Sequence, residues 1–216
     1  MKRIMLILFV CILLLAQPLG GAITKTTTID TIDDWQSVAA ATLDVGVAKN
    51  ISSSYSTKIY LEIAYTNANA QAGVDVIIEI SYADDNWVKL TEFTTVGDTP
   101  ATTTINDATV TAGDTTITLT DATTGDFDVP ARKWFIVDGT VANSESVKTV
   151  VNAVHTVTLA QDLIRSHADS LNVWDFVVEK VVSVPMAAAY VRVLINNTDA
   201  DASIHYTTRV SMVTGI

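Results

Sequence analysis

Cysteine is almost missing from this chain: of 216 residues only Cys11 is a cysteine, and it lies inside an N-terminal apolar run. A disulfide framework, a thiolate-rich zinc site and a cysteine nucleophile are therefore excluded from everything that follows that run. Histidine is nearly as scarce, and His155, His167 and His205 never fall at the close spacing of a metal-binding strand or helix, so no His-based metal site is expected. Cations are few, 13 Lys and Arg against 24 Asp and Glu, which leaves a formal charge of -11. Such a surface repels nucleic acid and anionic membranes. There is no Gly-flanked serine, no Gly-rich phosphate loop and no metal-protease histidine pair. Asp and Glu are so frequent that no carboxylate pair stands out, and the expectation is a protein that is not an enzyme.

What is present begins with Lys2 and Arg3, an unbroken apolar stretch from Ile4 to Ala16, and then Pro18, Gly20, Gly21 and Ala22. A basic start, an apolar core and a small-residue exit are the features export machinery reads, and the run falls short of the ~20 residues that span a bilayer. Residues 1–22 are expected to act as a signal peptide, cut near Ala22, which makes the protein secreted or surface-held. Loss of Lys2 and Arg3 then takes the charge from -11 to -13. Without cross-links, an exported chain must rely on a sizeable core, on ions or on neighbours. No second membrane span follows residue 22.

The rest is rich in Thr, Val, Ile and Ala, with Asp, Asn and Gly gathered between apolar runs. Ile59, Leu61, Ile63 and Tyr65 alternate with Tyr60, Glu62, Ala64 and Thr66, and a period of two means a strand. Val74, Val76, Ile78, Ile80 and Tyr82 repeat the pattern. Asp84, Asp85 and Asn86 supply a turn, and Trp87 to Phe93 returns as the partner of a hairpin. Val191, Val193 and Ile195 predict a late strand, and Ile204, Tyr206, Thr208, Val210 and Met212 the last. Short helical turns are allowed at Asp33–Ala41 and Ala160–Ala168. The fold class expected is all-β: an antiparallel, jelly-roll-like β-sandwich.

Between Ile105 and Phe176 the strands shorten and turn residues crowd together, the texture of a small β-barrel or compact sheet. The expected organisation is therefore a sandwich formed by 23–103 plus 177–216, with residues 104–176 inserted as a small β-module. Thr94–Thr104, with Pro100, reads as the linker into it. One continuous sandwich is the alternative.

Two local patterns resemble known families. Ala112-Gly113-Asp114-Thr115-Thr116-Ile117, Phe135-Ile136-Val137-Asp138-Gly139-Thr140, Asn143-Ser144-Glu145-Ser146-Val147, Thr156-Val157-Thr158-Leu159 and His167 resemble, in that order, small β-modules of phage virion and bacterial surface structural proteins. Glu79-Ile80-Ser81-Tyr82-Ala83-Asp84-Asp85-Asn86-Trp87 and Ala189-Tyr190-Val191-Arg192-Val193 resemble the hairpin and late strand of galactose-binding-like, discoidin-type sandwiches. The first resemblance implies a structural role. The second implies the sandwich fold alone: many such domains bind glycans through loops at one end, but Asp85 stands where they often have Gly and no ligand-contacting set is matched here.

Candidate sites follow from residue chemistry. Asn197, Asp199 and Asp201 alternate in one loop and offer oxygen ligands to calcium, as do Asp126 with Asp128 and Asp84 with Asp85; turn stabilisation by the same side chains is the competing reading. No other cofactor is expected. Trp87 with Asp84 and Asp85 is a candidate glycan contact, and Trp35, Trp134, Trp174, Tyr60 and Tyr190 are further aromatic candidates. His155 and His205 are expected on strand faces and His167 at a turn. The polar segment Ile23 to Asp34, with Ile23, Thr24, Thr26, Thr28 and Ile29, is suited to pair with a neighbour's open sheet edge. These observations favour a non-enzymatic structural subunit of an extracellular filament, sheath or surface layer that self-associates into a homo-oligomer or polymer. A secreted glycan-binding or adhesion module is the rival.

Overall fold

The computed structural model describes residues 25–66, 73–95, 100–108, 110–121, 133–138, 141–153, 155–175 and 177–215. The expected signal segment, Ile23, Thr24, Asp126 and Asp128 lie outside them. Fifteen strands are present among the described residues: β1 (Lys25–Val38), β2 (Thr42–Val45), β3 (Lys49–Asn50), β4 (Ser56–Tyr65), β5 (Val74–Ser81), β6 (Val88–Thr94), β7 (Thr102–Thr104), β8 (Thr116–Thr118), β9 (Lys133–Ile136), β10 (Glu145–Ala153), β11 (Thr156–Leu159), β12 (Asn172–Trp174), β13 (Val177–Val184), β14 (Tyr190–Asn197) and β15 (Ile204–Gly215).

Two sheets face each other as an antiparallel sandwich. One has the order β1-β15-β4-β13 and the other β2-β14-β5-β6, with β3 also on β14. Alternation dictates the arrangement. Ile59, Leu61, Ile63 and Tyr65 of β4 and Ile204, Tyr206, Val210 and Met212 of β15 point from one sheet; Val74, Val76, Ile78, Val191, Val193 and Ile195 meet them from the other. Each such side chain contributes about 1.5–3 kcal/mol on leaving water. Tyr82 departs from the expected face and is exposed, because β5 ends at Ser81 and the chain turns through Asp84 at φ 64°.

Strands β7 to β12 form a third sheet, in the order β7-β12-β9-β10-β11-β8. Its ends meet: Ile105 bridges Leu119, Asn106 N–H donates to Thr118 O, and Thr120 N–H donates to Thr104 O, each at 2.8 Å. The sheet therefore closes into a six-stranded barrel around Ile105, Ile117, Leu119, Trp134, Ile136, Val147, Val157 and Val173. Closure removes the edges that a short sheet of this size would leave open. Entry and exit lie side by side, since Ala101 N–H donates to Asp175 Oδ1 at 2.8 Å and Asp175 N–H to Ala101 O at 3.3 Å.

The barrel rests on the outer face of the four-stranded sheet. Trp35, Ala64 and Phe135 form a separate buried cluster there, with the two aromatic centroids 4.3 Å apart. This is why Trp134, Phe135 and Ile136 are all buried: the outer two fill the barrel, and Phe135 points to the sheet. Neither expected helical turn is present. Residues 33–38 continue β1, because β15 offers them a ladder, and the loop at 160–168 is pinned by Leu163 and His167. The one helical segment among the described residues is a 3-10 turn, Val141–Asn143.

Gly46 marks a close approach. A Cβ there would lie 2.6 Å from Asp33 Oδ2 and 2.8 Å from Val193 O. Gly46→Ala should accordingly lower stability by roughly 1–3 kcal/mol through overpacking, read as a fall in the urea midpoint.

Candidate functional site

The expected assembly segment is found on the rim of the sandwich. Thr26, Thr28 and Ile29 lie in β1, hydrogen-bonded along β15 of the same chain, with Lys25 paired to Gly215 and Ile29 to Ser211. Their side chains touch little: Lys25 to Ile29 are exposed, Ile29 at 67%. Register irregularities between Thr31 and Asp33, and between Asp33 and Gln36, divide this half from a firmly anchored one. In the anchored half, the buried Asp33 accepts from Thr208 Oγ1 at 2.8 Å and from Val47 N–H at 3.2 Å. Trp35 and Val38 are buried beyond it. The first half is therefore held by main-chain bonds and one partly exposed ion pair, Asp30 with Lys49 at 2.9 Å.

A cleft of about 260 Å³ opens where the barrel meets the outer sheet face, lined by Tyr60, Glu62, Lys133, Gln161, Glu179 and Arg209 among others. Glu62 and Glu179 are register partners on β4 and β13, so their carboxylates converge. Lys133, from the barrel, bridges both: it pairs with Glu62 and lies 2.6 Å from Glu179. Ser146 Oγ donates to Glu62 as well, at 2.5 Å. Both carboxylates are thus engaged in tying the barrel to the sheet. This cleft was not legible in the sequence, because its residues come from strands far apart in the chain.

The loop Asn197–Asp201 is organised around its own backbone. Asn197 Nδ2 donates to the carbonyls of Val38, Ala39 and Ala202, and Asn197 Oδ1 accepts from Asp199 N–H at 3.2 Å. Asp199 Oδ1 accepts from the N–H groups of Asp201 and Ala202, both at 2.9 Å. Asp201 is exposed. Among the described residues no group of three or more His, Cys, Asp or Glu is placed to hold a metal ion. At the hairpin, Asp84 and Asp85 are exposed, while one face of Trp87 is covered by the Arg192 guanidinium, 4.2 Å from the ring centre and itself bonded to Glu79. Of the other aromatic candidates, Trp35 and Trp134 are buried in packing and only Tyr60 reaches the cleft.

The histidines correct two expectations. His155 is in the turn between β10 and β11 rather than on a strand face. His167, expected at a turn, instead bridges Val110 and is buried: its Nε2 lies 2.7 Å from Glu145 Oε1, and Glu145 also accepts the N–H groups of Ile164 and Arg165. This locks the loop at 160–168 against β10. His205, on β15 as expected, is packed beneath Phe135 with Nδ1 3.0 Å from Thr66 Oγ1. Burial lowers its pKa to about 4.

Two outcomes follow. His205 stays neutral in the folded state, whereas the unfolded chain takes up a proton below pH 6.5, so stability should fall as pH drops from about 6.5 to about 4. The loss attributable to His205 is on the order of 3 kcal/mol. Urea titrations at pH 7 and pH 4.5 check it, and His205→Asn should flatten the difference. Lys133→Ala should leave Glu62 and Glu179 opposed without a cation, costing about 2 kcal/mol, and should quicken hydrogen exchange where the barrel meets β4 and β13.

No protein-family model and no curated protein matches the chain. Among solved structures it is similar to that of infectious bursal disease virus Gx strain, at 9% identity over 90% of this chain and 82% of the other, with a TM-score of 0.24. It is likewise similar to VP17, a capsid protein of bacteriophage P23-77, at 8% identity over 90% and 98%, with a TM-score of 0.23. The same phage's VP16–VP17 complex of its two major capsid proteins matches at 8% identity over 89% and 100%, with a TM-score of 0.23. Likeness of this degree carries no functional argument.

Proposed function

We propose that this chain is an exported, non-enzymatic structural subunit of an extracellular assembly, such as a filament, sheath or surface layer, joined by β-strand addition at its N-terminal edge. The observation that carries the reading is the state of β1. Its first half is a polar, Thr-rich edge strand with exposed side chains and, among the described residues, no strand paired along its outer side, set off by register irregularities from an anchored second half. Strand addition draws its affinity from main-chain bonds and needs little from side chains, which suits such a segment. The chemistry of the cleft agrees: its two converging carboxylates are held by Lys133.

A secreted glycan-binding or adhesion module is the second reading. The cleft favours it, since Tyr60 is 39% exposed there beside Gln161 and Arg209. A monomer that binds a glycan array and loses binding on Tyr60→Ala would establish this reading instead.

The test of the first reading removes Lys25–Asp30 and stops short of Asp33 and Trp35, which hold the fold. Electron microscopy should show ordered polymers from the intact chain and none from the shortened one. Circular dichroism and light scattering should report the shortened chain as a folded monomer. Unchanged polymers after the deletion, or no polymers from the intact chain, would refute the proposal.

A further inference from the structure

We infer that the subunits join head to tail, with the β1 and β2 edges of one copy pairing with the β13 and β6 edges of the next, so that both sheets of the sandwich run on through the assembly. This rests on the structural-subunit reading and names the surface opposite β1.

The two sheets are in step. β1 and β2 share one flank: only residues 39–41 separate them, Val47 N–H donates to Asp33 of β1, and Lys49 pairs with Asp30. β13 and β6 share the other flank, where Lys180 Nζ lies 5.2 Å from the centre of the Phe93 ring. Every neighbouring pair along both sheets is antiparallel. Each sheet path has four strands, an even number, so β13 runs opposite to β1 and β6 opposite to β2. A copy carried sideways without inversion therefore sets antiparallel strands against one another at both joints. With odd strand counts, the same displacement would bring parallel edges together.

The flanks also expose apolar side chains that a soluble rim has no need of. Ile29, Leu43, Val45 and Val47 are exposed on the first flank, and Val88 and Val181 on the second. Because the two flanks differ, the contact is heterologous and does not close on itself as a two-fold pair would; it propagates. Strands spaced ~4.8 Å apart give a rise of roughly 19 Å per subunit, and a twist of about 20–25° per strand turns each successive subunit by roughly a quarter turn, fanning the barrels outward.

The experiment uses the chain from Ile23 and two kinds of blocked variant. The first lacks Lys25–Asp30. The second carries Lys180→Pro or Val181→Pro; N–H groups of successive residues point to opposite sides of a strand, so one of the two blocks the free edge without taking a bond from β4. Whichever proline variant stays folded should be monomeric alone, and mixed with the shortened chain should give dimers that go no further, seen by light scattering. Intact filaments should show an axial rise near ~19 Å by cryo-electron microscopy. A folded proline variant that polymerises like the intact chain, a mixture without dimers, or a clearly different rise overturns the head-to-tail arrangement while leaving the subunit reading standing. An intact chain that never polymerises overturns both.

Discussion

The four-stranded sheet is covered on both faces at one end and on one face only at the other, and the rest of the structure depends on that asymmetry. Along β4 the outward residues pass from exposed Ser56, Lys58 and Tyr60 through half-buried Glu62 to fully buried Ala64. On β15 the buried His205 and Thr207 share the covered end, and Arg209 marks the transition. The cover is the barrel, seated through Phe135 on Trp35 and Ala64. A sheet whose outer face is partly apolar must bury that part, and the insertion supplies the surface.

Charge is placed where that cover ends. Lys133 reaches from the barrel to Glu62 and Glu179, Ser146 adds a hydrogen bond, and Arg165 reaches back to Asp34 at 3.3 Å. Partly buried ion pairs of this kind fix orientation more than they add stability, because desolvation offsets much of their attraction. The neutral His205 sits under the same contact, so its burial joins the seat of the barrel to acid sensitivity.

Among the described residues, no strand is paired along the outer edges of β1 and β13 in one sheet or of β2 and β6 in the other. The Thr-rich first half of β1 is bound weakly enough by side chains to leave main-chain bonding as its chief attachment. Along the four-strand path of each sheet every neighbouring pair is antiparallel, so the two end strands of a path run in opposite directions.

The sequence by itself determined the class of fold and the main strands of the sandwich. The alternation in β4, β5, β14 and β15 is a local property, and one face of each is buried against the opposite sheet. It also marked residues 105–176 as different in texture, since short strands and frequent turns are local too. Only the tertiary structure decided which edges stay free, that Trp134 and Trp35 serve packing, that His167 is buried against Glu145, and that Glu62, Lys133 and Glu179 meet. Lys133 lies 71 residues from Glu62 and 46 from Glu179 in the chain, and His167 lies 22 from Glu145, so none of these meetings is a local property. Periodicity fixes which way a side chain points, but the neighbouring strand fixes what it meets.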